Sequence, residues 1–179
     1  MSTPYLSQRP AVDEYFEYYD KYIRLVPDGD VIQTASKQLN DASLTLREIT
    51  EQDSTILHAP YTWTIKQVLG HVIDAERIFA DRLHRISAGD PQPQLGMDQD
   101  IFVSGNDYVT PLLSSLVEEW QHCRQANLLL MKRIRPDAWT IRGSASGYPV
   151  TVRALAWMIV GHVSHHMNIV CQRLNLPLL

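Results

Sequence analysis

Cysteine is scarce in this chain, with only Cys123 and Cys171 among 179 residues. Two cysteines cannot form the disulfide framework of a small secreted domain, so we expect a reducing compartment. Long apolar runs are also missing, and none approaches the roughly 18 residues that a membrane-spanning helix needs. Residues 1–10 lack the apolar core of an export signal. These absences predict a cytoplasmic protein with no membrane partner.

Blocks of basic residues are absent as well. The 16 Lys and Arg residues are outnumbered by 20 Asp and Glu residues, which gives a net charge of −4. Nucleic-acid-binding domains usually carry a basic patch or stripe, so we expect no nucleic-acid partner. Hydrophobic residues make up 45% of the chain, enough for a substantial core. We therefore predict a single domain over residues 1–179.

Apolar residues recur at helical spacing over four long segments. We predict helices over residues 30–50, 64–88, 110–135 and 151–175. The second begins with a capping box, and the third with a threonine followed by proline at the first helical position. Four such helices predict an all-α fold, a four-helix bundle.

Three segments fall outside the predicted long helices. Residues 1–27 contain several aromatic residues and should pack on the bundle, with a short helix that ends near Pro27. Residues 89–109 form a long polar connection between the second and third helices, which is typical of a functional or mobile loop. Residues 143–149 are small and rich in glycine and serine, which predicts a flexible loop.

Three histidines lie in apolar helical segments. His162 and His166 are four residues apart, so they stack on one face of the fourth helix. His71 borders or joins the apolar face of the second helix. Three imidazoles meeting inside the bundle can hold a divalent metal ion and leave a coordination position open, as catalytic zinc sites do. The residues alone leave the alternative open that each is a hydrogen-bonded core histidine.

Glu76, Asp74 and His165 are weaker candidates for a catalytic role. Glu76 lies on the apolar side of the second helix, where it could act as a general base or form an ion pair with Arg82 or Arg153. Asp74 could hold the free N–H of a metal ligand or lie in solvent at the surface. His165 falls at the edge of the apolar stripe of the fourth helix.

Two other residue types invite a functional interpretation. Cys123 and Cys171 do not lie where they could join the histidines, so we expect neither to be a nucleophile. Trp157 faces away from the histidines and could serve a contact between two copies of the chain.

The chain resembles the DinB-like family, which includes the YfiT-type metal-dependent hydrolases. The resemblance is carried by four motifs, Trp-Thr-Ile-Lys-Gln-Val-Leu-Gly-His at 63–71, Trp139-Thr140, Gly-Tyr-Pro-Val-Thr at 147–151, and His162-x-x-His165-His166. It implies a four-helix bundle, a homodimer, and a zinc or nickel ion held by His71, His162 and His166. Val163 departs from the family pattern, in which glutamate is common at that position.

The resemblance also implies an activity on a small-molecule substrate. One possibility is transfer or isomerisation that uses a low-molecular-weight thiol such as bacillithiol or mycothiol, and the other is metal-dependent hydrolysis. Residues 89–109 and 143–149 would then choose the substrate. The alternatives are a non-catalytic metal-binding stress-response protein and a plain helical bundle with core histidines.

Overall fold

The computed structural model describes residues 4–178, so residues 1–3 and 179 of the predicted domain lie outside the described part. The described chain forms seven α-helices, one β-hairpin and four short 3-10 helices. The α-helices are α1 (Asp20–Ile23), α2 (Val31–Arg47), α3 (Glu51–Thr55), α4 (Ile65–Ser87), α5 (Gln99–Gly105), α6 (Leu113–Lys132) and α7 (Val152–Leu174). The hairpin pairs β1 (Arg142–Ala145) with β2 (Tyr148–Thr151), and the 3-10 helices are Pro4–Leu6, Val12–Glu14, Glu17–Tyr19 and Pro136–Thr140. None of the helices in this range is long and apolar enough to cross a membrane.

The four long helices α2, α4, α6 and α7 match the four predicted from apolar spacing, which confirms the helical-bundle prediction. Side chains cap three of their N-termini. The Asp30 carboxylate accepts from two backbone N–H groups at the start of α2, the Thr64 capping box starts α4, and Thr151 caps α7. Asn175, in a left-handed conformation with φ 54°, ends α7.

Helix α6 begins at Leu113, three residues later than predicted, because the preceding residues bind other partners. The backbone N–H of Thr110 donates to the Asp107 carboxylate. The buried Lys66 ammonium donates to the carbonyl oxygens of Val109 and Pro111. These bonds fix residues 107–111 as a turn, so the threonine–proline pair does not open the helix.

The predicted flexible loop at 143–149 is wrong, since these residues form most of a β-hairpin. Ser146 and Gly147 occupy the turn with φ of 54° and 83°, the backbone that a two-residue primed turn requires. The segment between α4 and α6 is tied to this hairpin, because the Gln94 backbone pairs with Ser144 and Ser146. Two segments that are distant in sequence therefore meet at one end of the bundle.

The N-terminal aromatic segment forms short 3-10 helices and α1, and it packs against α7. Gly161 permits the closest approach, since a Cβ there would overlap the backbone of Tyr22. Arg9 donates to the carbonyl of Ile23 and lies over the Trp157 ring at 4.9 Å. Trp157 is fully buried within the chain, so the prediction that it serves a dimer contact is wrong.

Candidate metal centre

The rings of His71, His162 and His166 lie together in the interior between α4 and α7. Each offers one ring nitrogen, and these three atoms lie within 4.8 Å of one another. The Nε2 atoms of His71 and His162 are 3.1 Å apart. Two nitrogens bound to one tetrahedral zinc at about 2.0–2.1 Å would be about 3.3 Å apart. The spacing of this three-histidine cluster therefore suits a single metal ion.

The surrounding protein leaves part of the cluster without hydrogen-bond partners. His71 Nδ1 and His166 Nε2 are both buried and have no acceptor or donor within reach among the described residues. Between the two facing Nε2 atoms of His71 and His162, only one can carry the proton of a hydrogen bond. Buried polar atoms in folded proteins are nearly always satisfied. A single cation between the facing Nε2 atoms and His166 would account for these nitrogens, apart from His71 Nδ1, better than protein hydrogen bonds do.

The cluster is electrically suited to bind a cation at neutral pH. Burial, with a smaller effect of His165, lowers the pKa of His71 to about 4. Burial and the neighbouring histidines likewise lower the pKa of His162 and His166 well below the usual value. All three rings are therefore neutral near pH 7, which leaves ring lone pairs free to bind a metal.

Glycines precede two of the three histidines and allow tyrosines to pack close to them. A Cβ at Gly70 would overlap the ring of Tyr108, and a Cβ at Gly161 would overlap Tyr22. The Tyr22 ring lies edge-on to His162 at 5.3 Å between centroids. The Gly-His pair therefore has a packing role on both helices.

Asp74 neither holds a histidine nor lies in solvent, in contrast to both interpretations of the sequence. It is buried and accepts a hydrogen bond of 2.5 Å from the Tyr108 hydroxyl. Burial raises the pKa of this carboxyl, partly offset by that hydrogen bond. Asp74 thus fixes the residue that packs on Gly70.

Glu76 forms a buried ion pair, but its partner is neither Arg82 nor Arg153. Arg124 of α6 donates to both carboxylate oxygens at 2.7 and 2.8 Å, and Asn127 donates a further hydrogen bond of 2.9 Å. The carboxylate is therefore fully engaged in joining α4 to α6. Sequence reasoning missed Arg124 because its position in α6 relative to α4 depends on how the helices pack.

His165 is half-buried and lies outside the three-histidine cluster. Its ring meets those of Tyr22 and His166 edge-on, at 5.1 and 5.0 Å between centroids.

The two cysteines are free, and burial raises the pKa of both thiols. Neither thiol is activated as a nucleophile would be.

A cavity of about 110 Å³ reaches His71 and His162. Its walls come from α4, α7, the N-terminal aromatic segment, the 88–112 connection and the hairpin turn. They comprise Tyr18, Tyr19, Tyr22, His71, Ala75, Ile78, Phe79, Arg82, Met97, Gln99, Ser146 and His162. The two segments expected to choose the substrate thus each contribute to this wall. A larger cavity of about 550 Å³ lies between α2 and α6 and has no histidine in its wall.

Arg82 is the one charged residue of this wall, and the sequence did not identify it as a site residue. It follows His71 by eleven residues, close to three helical turns, so both side chains share one face of α4. The sequence could have indicated Arg82 as a site residue, because it is a basic residue three turns from a histidine on an otherwise apolar helix face.

Comparison with known proteins places the chain in a family. A profile of the DinB superfamily matches residues 31–170. YfiT from Bacillus subtilis, a probable metal-dependent hydrolase with an unusual four-helix bundle topology, superposes with a TM-score of 0.69 at 16% identity, over 98% of each chain. No curated protein sequence matches the chain.

A mycothiol-dependent maleylpyruvate isomerase superposes with a TM-score of 0.65 at 16% identity, as does a histidine-to-alanine variant of it. The superposition covers 76% of this chain and 57% of the isomerase, so the chain matches little more than half of that enzyme. At this identity the likeness extends to the fold alone. From the profile match over most of its length, the chain belongs to the DinB superfamily.

Proposed function

We propose that the chain is a divalent-metal-binding enzyme that acts on a small molecule, with His71, His162 and His166 as the metal ligands. The observation that carries this proposal is the three-histidine cluster, in which two buried nitrogens, His71 Nδ1 and His166 Nε2, lack protein partners. Zinc and nickel are the proposed ions, since both accept imidazole ligands. When bound, such an ion would have an open coordination position and would polarise a substrate oxygen or lower the pKa of a thiol or water.

The residues around the cluster would shape the reaction. Tyr22 and Phe79 place aromatic rings at 5.3 and 5.7 Å from His162, measured between centroids. With Tyr18 and Tyr19 they line the cavity with four aromatic rings. A substrate in this cavity would be desolvated beside the cluster, where electrostatic interactions are strengthened.

Thiol-dependent transfer is the reaction that we favour, with hydrolysis as the second candidate. Of the structural neighbours, one is a mycothiol-dependent isomerase, which also uses a thiol, and one is a probable metal-dependent hydrolase. Neither Cys123 nor Cys171 lines the cavity, and burial raises the pKa of both thiols. Any thiol in the reaction would therefore come from a low-molecular-weight co-substrate.

The proposal also includes a homodimer and a cytoplasmic location. Light scattering on the purified protein tests whether it is a dimer.

A non-catalytic metal-binding stress-response protein is the alternative. The cavity that reaches two of the three histidines favours the enzyme, because a purely storage or structural site would be closed. Assays with a panel of electrophiles plus thiols, and with a panel of esters, separate the two. Metal-dependent turnover on either panel supports the enzyme, and tight metal with no turnover on both supports the alternative.

The direct test is elemental analysis of the wild type, His162→Ala and His122→Ala. His122 is an exposed histidine on α6, so its substitution is a matched control. We expect near-stoichiometric zinc or nickel in the wild type and the control, and a large loss in His162→Ala. Equal metal content in all three proteins, or none in the wild type after loading with either ion, would overturn the proposal.

A further inference from the structure

Buried basic side chains are rare in proteins, because a charge removed from water must be compensated. Four are found among residues 4–178, namely Lys66, Arg82, Arg124 and Arg153. Three of them contact a carboxylate, in the pairs Lys66–Glu51, Arg124–Glu76 and Arg153–Glu14. Within the described residues, Arg82 has no carboxylate partner within ion-pair distance. Its side chain is nevertheless only 4% exposed.

The polar neighbours of Arg82 hold its guanidinium without neutralising it. Nη2 donates to the Leu95 carbonyl at 2.6 Å and to Ser146 Oγ at 3.2 Å, and Tyr19 is a further hydrogen-bonding neighbour. Nε is buried and has no acceptor. Since a guanidinium carries five N–H groups, these contacts leave donor capacity unused. The side chain is fixed in position, with the Phe79 ring 5.7 Å from its guanidinium carbon, but no described carboxylate lies within ion-pair distance of its charge.

Arg82 lines the same cavity as His71 and His162. No Asp or Glu contributes to that wall, and Arg82 is its one Lys or Arg side chain. Nine of the other eleven wall residues are aromatic or apolar, and five of these nine, the tyrosines and histidines, also carry a polar atom. A ligand with one negative charge and an apolar body would therefore be complementary to the cavity. The small volume, about 110 Å³, favours a compact molecule.

We propose that Arg82 binds the carboxylate of the substrate, and that the substrate is a small carboxylic acid with an aromatic or apolar body. The inference rests on the proposed function only in calling this ligand a substrate, since carboxylate binding by Arg82 requires no metal. One guanidinium matches one carboxylate in charge, and Nη1 has no protein acceptor among the hydrogen bonds of Arg82 given above. A phosphate dianion would find no second basic side chain in the wall.

The test measures binding of benzoate, its neutral analogue benzamide and inorganic phosphate by calorimetry. The wild type, Arg82→Gln and Arg85→Gln are compared, each stripped of metal by a chelator. Arg85 is half-exposed on the same helix and pairs with Asp81 and Asp90, which makes it the matched control. We expect benzoate to bind the wild type and the control at least tenfold more tightly than benzamide or phosphate. We expect Arg82→Gln to lose about tenfold or more of that affinity.

Three results would overturn the inference: equal affinity for benzoate and benzamide, phosphate binding as tight as benzoate, or unchanged benzoate affinity in Arg82→Gln. Absence of benzoate binding to the wild type would also overturn it. If Arg82→Gln does not fold, the benzoate and benzamide affinities of the wild type still show whether the cavity selects a carboxylate. Metal content of the same preparations before stripping reports separately on the proposed function. Full metal without charge-selective binding would refute this inference alone, and charge-selective binding by a protein that takes up no metal would refute the metal assignment alone.

Discussion

Arg82 of α4 and Arg124 of the neighbouring helix α6 are both buried arginines, yet their surroundings differ. Arg124 is fully buried and engages both oxygens of Glu76 and the amide oxygen of Gln38. Arg82 has two neutral acceptors on its Nη2 and an unpartnered Nε. The first arrangement is complete within the protein, whereas the second lacks its counter-charge. This difference separates a charge that joins helices from a charge that is available to a ligand.

The three-histidine cluster belongs with Arg82 in this comparison. Its nitrogens are also incompletely satisfied, and two of its residues, His71 and His162, share a cavity with that arginine. Native proteins satisfy almost all of their buried polar groups, so exceptions that share one cavity indicate a binding site. Elsewhere in the interior, buried charges such as Glu14 and Arg153 are paired.

The largest effect on the free energy of unfolding is expected from breaking the ion pair between Arg124 and Glu76. Arg124→Gln leaves the Glu76 carboxylate buried without its cation, and such a loss costs about 3–5 kcal/mol in the free energy of unfolding. Urea unfolding measures it. The matched control is Arg77→Gln, which removes a partly exposed pair with Glu119 and should change the value by less than about 1 kcal/mol. Equal effects of the two substitutions would show that the buried Arg124–Glu76 pair contributes no more to stability than the partly exposed Arg77–Glu119 pair.

The sequence predicted the parts of the molecule that depend on local spacing. The helix over residues 64–88 follows from apolar periodicity and the Thr64 capping box, and a face shared by His162 and His166 follows from their four-residue separation. The Ser146-Gly147 turn was missed because positive φ at a serine is not evident from a glycine- and serine-rich composition. The partner of Glu76 was missed because it depends on which helices pack together, which no local pattern specifies.

A smaller, pH-dependent effect is expected at the second complete ion pair, Glu14 with Arg153. Burial raises the pKa of Glu14, but hydrogen bonds from Arg153, the Ala11 N–H and Thr151 outweigh it, so the folded-state pKa is lowered from 4.5. A lowered folded-state pKa adds stability that is present above pH 4.5 and is lost as the pH falls through the folded-state value.

Glu14→Gln removes this contribution, since a neutral amide resembles the protonated carboxyl. We expect the wild type to be more stable than the variant at pH 7, and the difference to shrink as the pH falls below about 4.5. Urea unfolding of both proteins between pH 7 and pH 3 measures it. A difference that stays constant over this range would mean that the charge of Glu14 does not stabilise the fold.

The smallest effect on stability is expected at Arg82, and it sharpens the contrast with Arg124 most directly. Arg82→Gln removes a buried charge that no carboxylate compensates, so the desolvation cost that it relieves offsets the hydrogen bonds lost to Leu95 and Ser146. We expect the free energy of unfolding to change by less than about 1 kcal/mol, compared with the loss of about 3–5 kcal/mol expected for Arg124→Gln. A loss as large as that of Arg124→Gln would show that Arg82 serves the fold. The absence of such a loss means that the protein carries this buried cation at no benefit to its stability, which is the behaviour of a residue kept for a ligand.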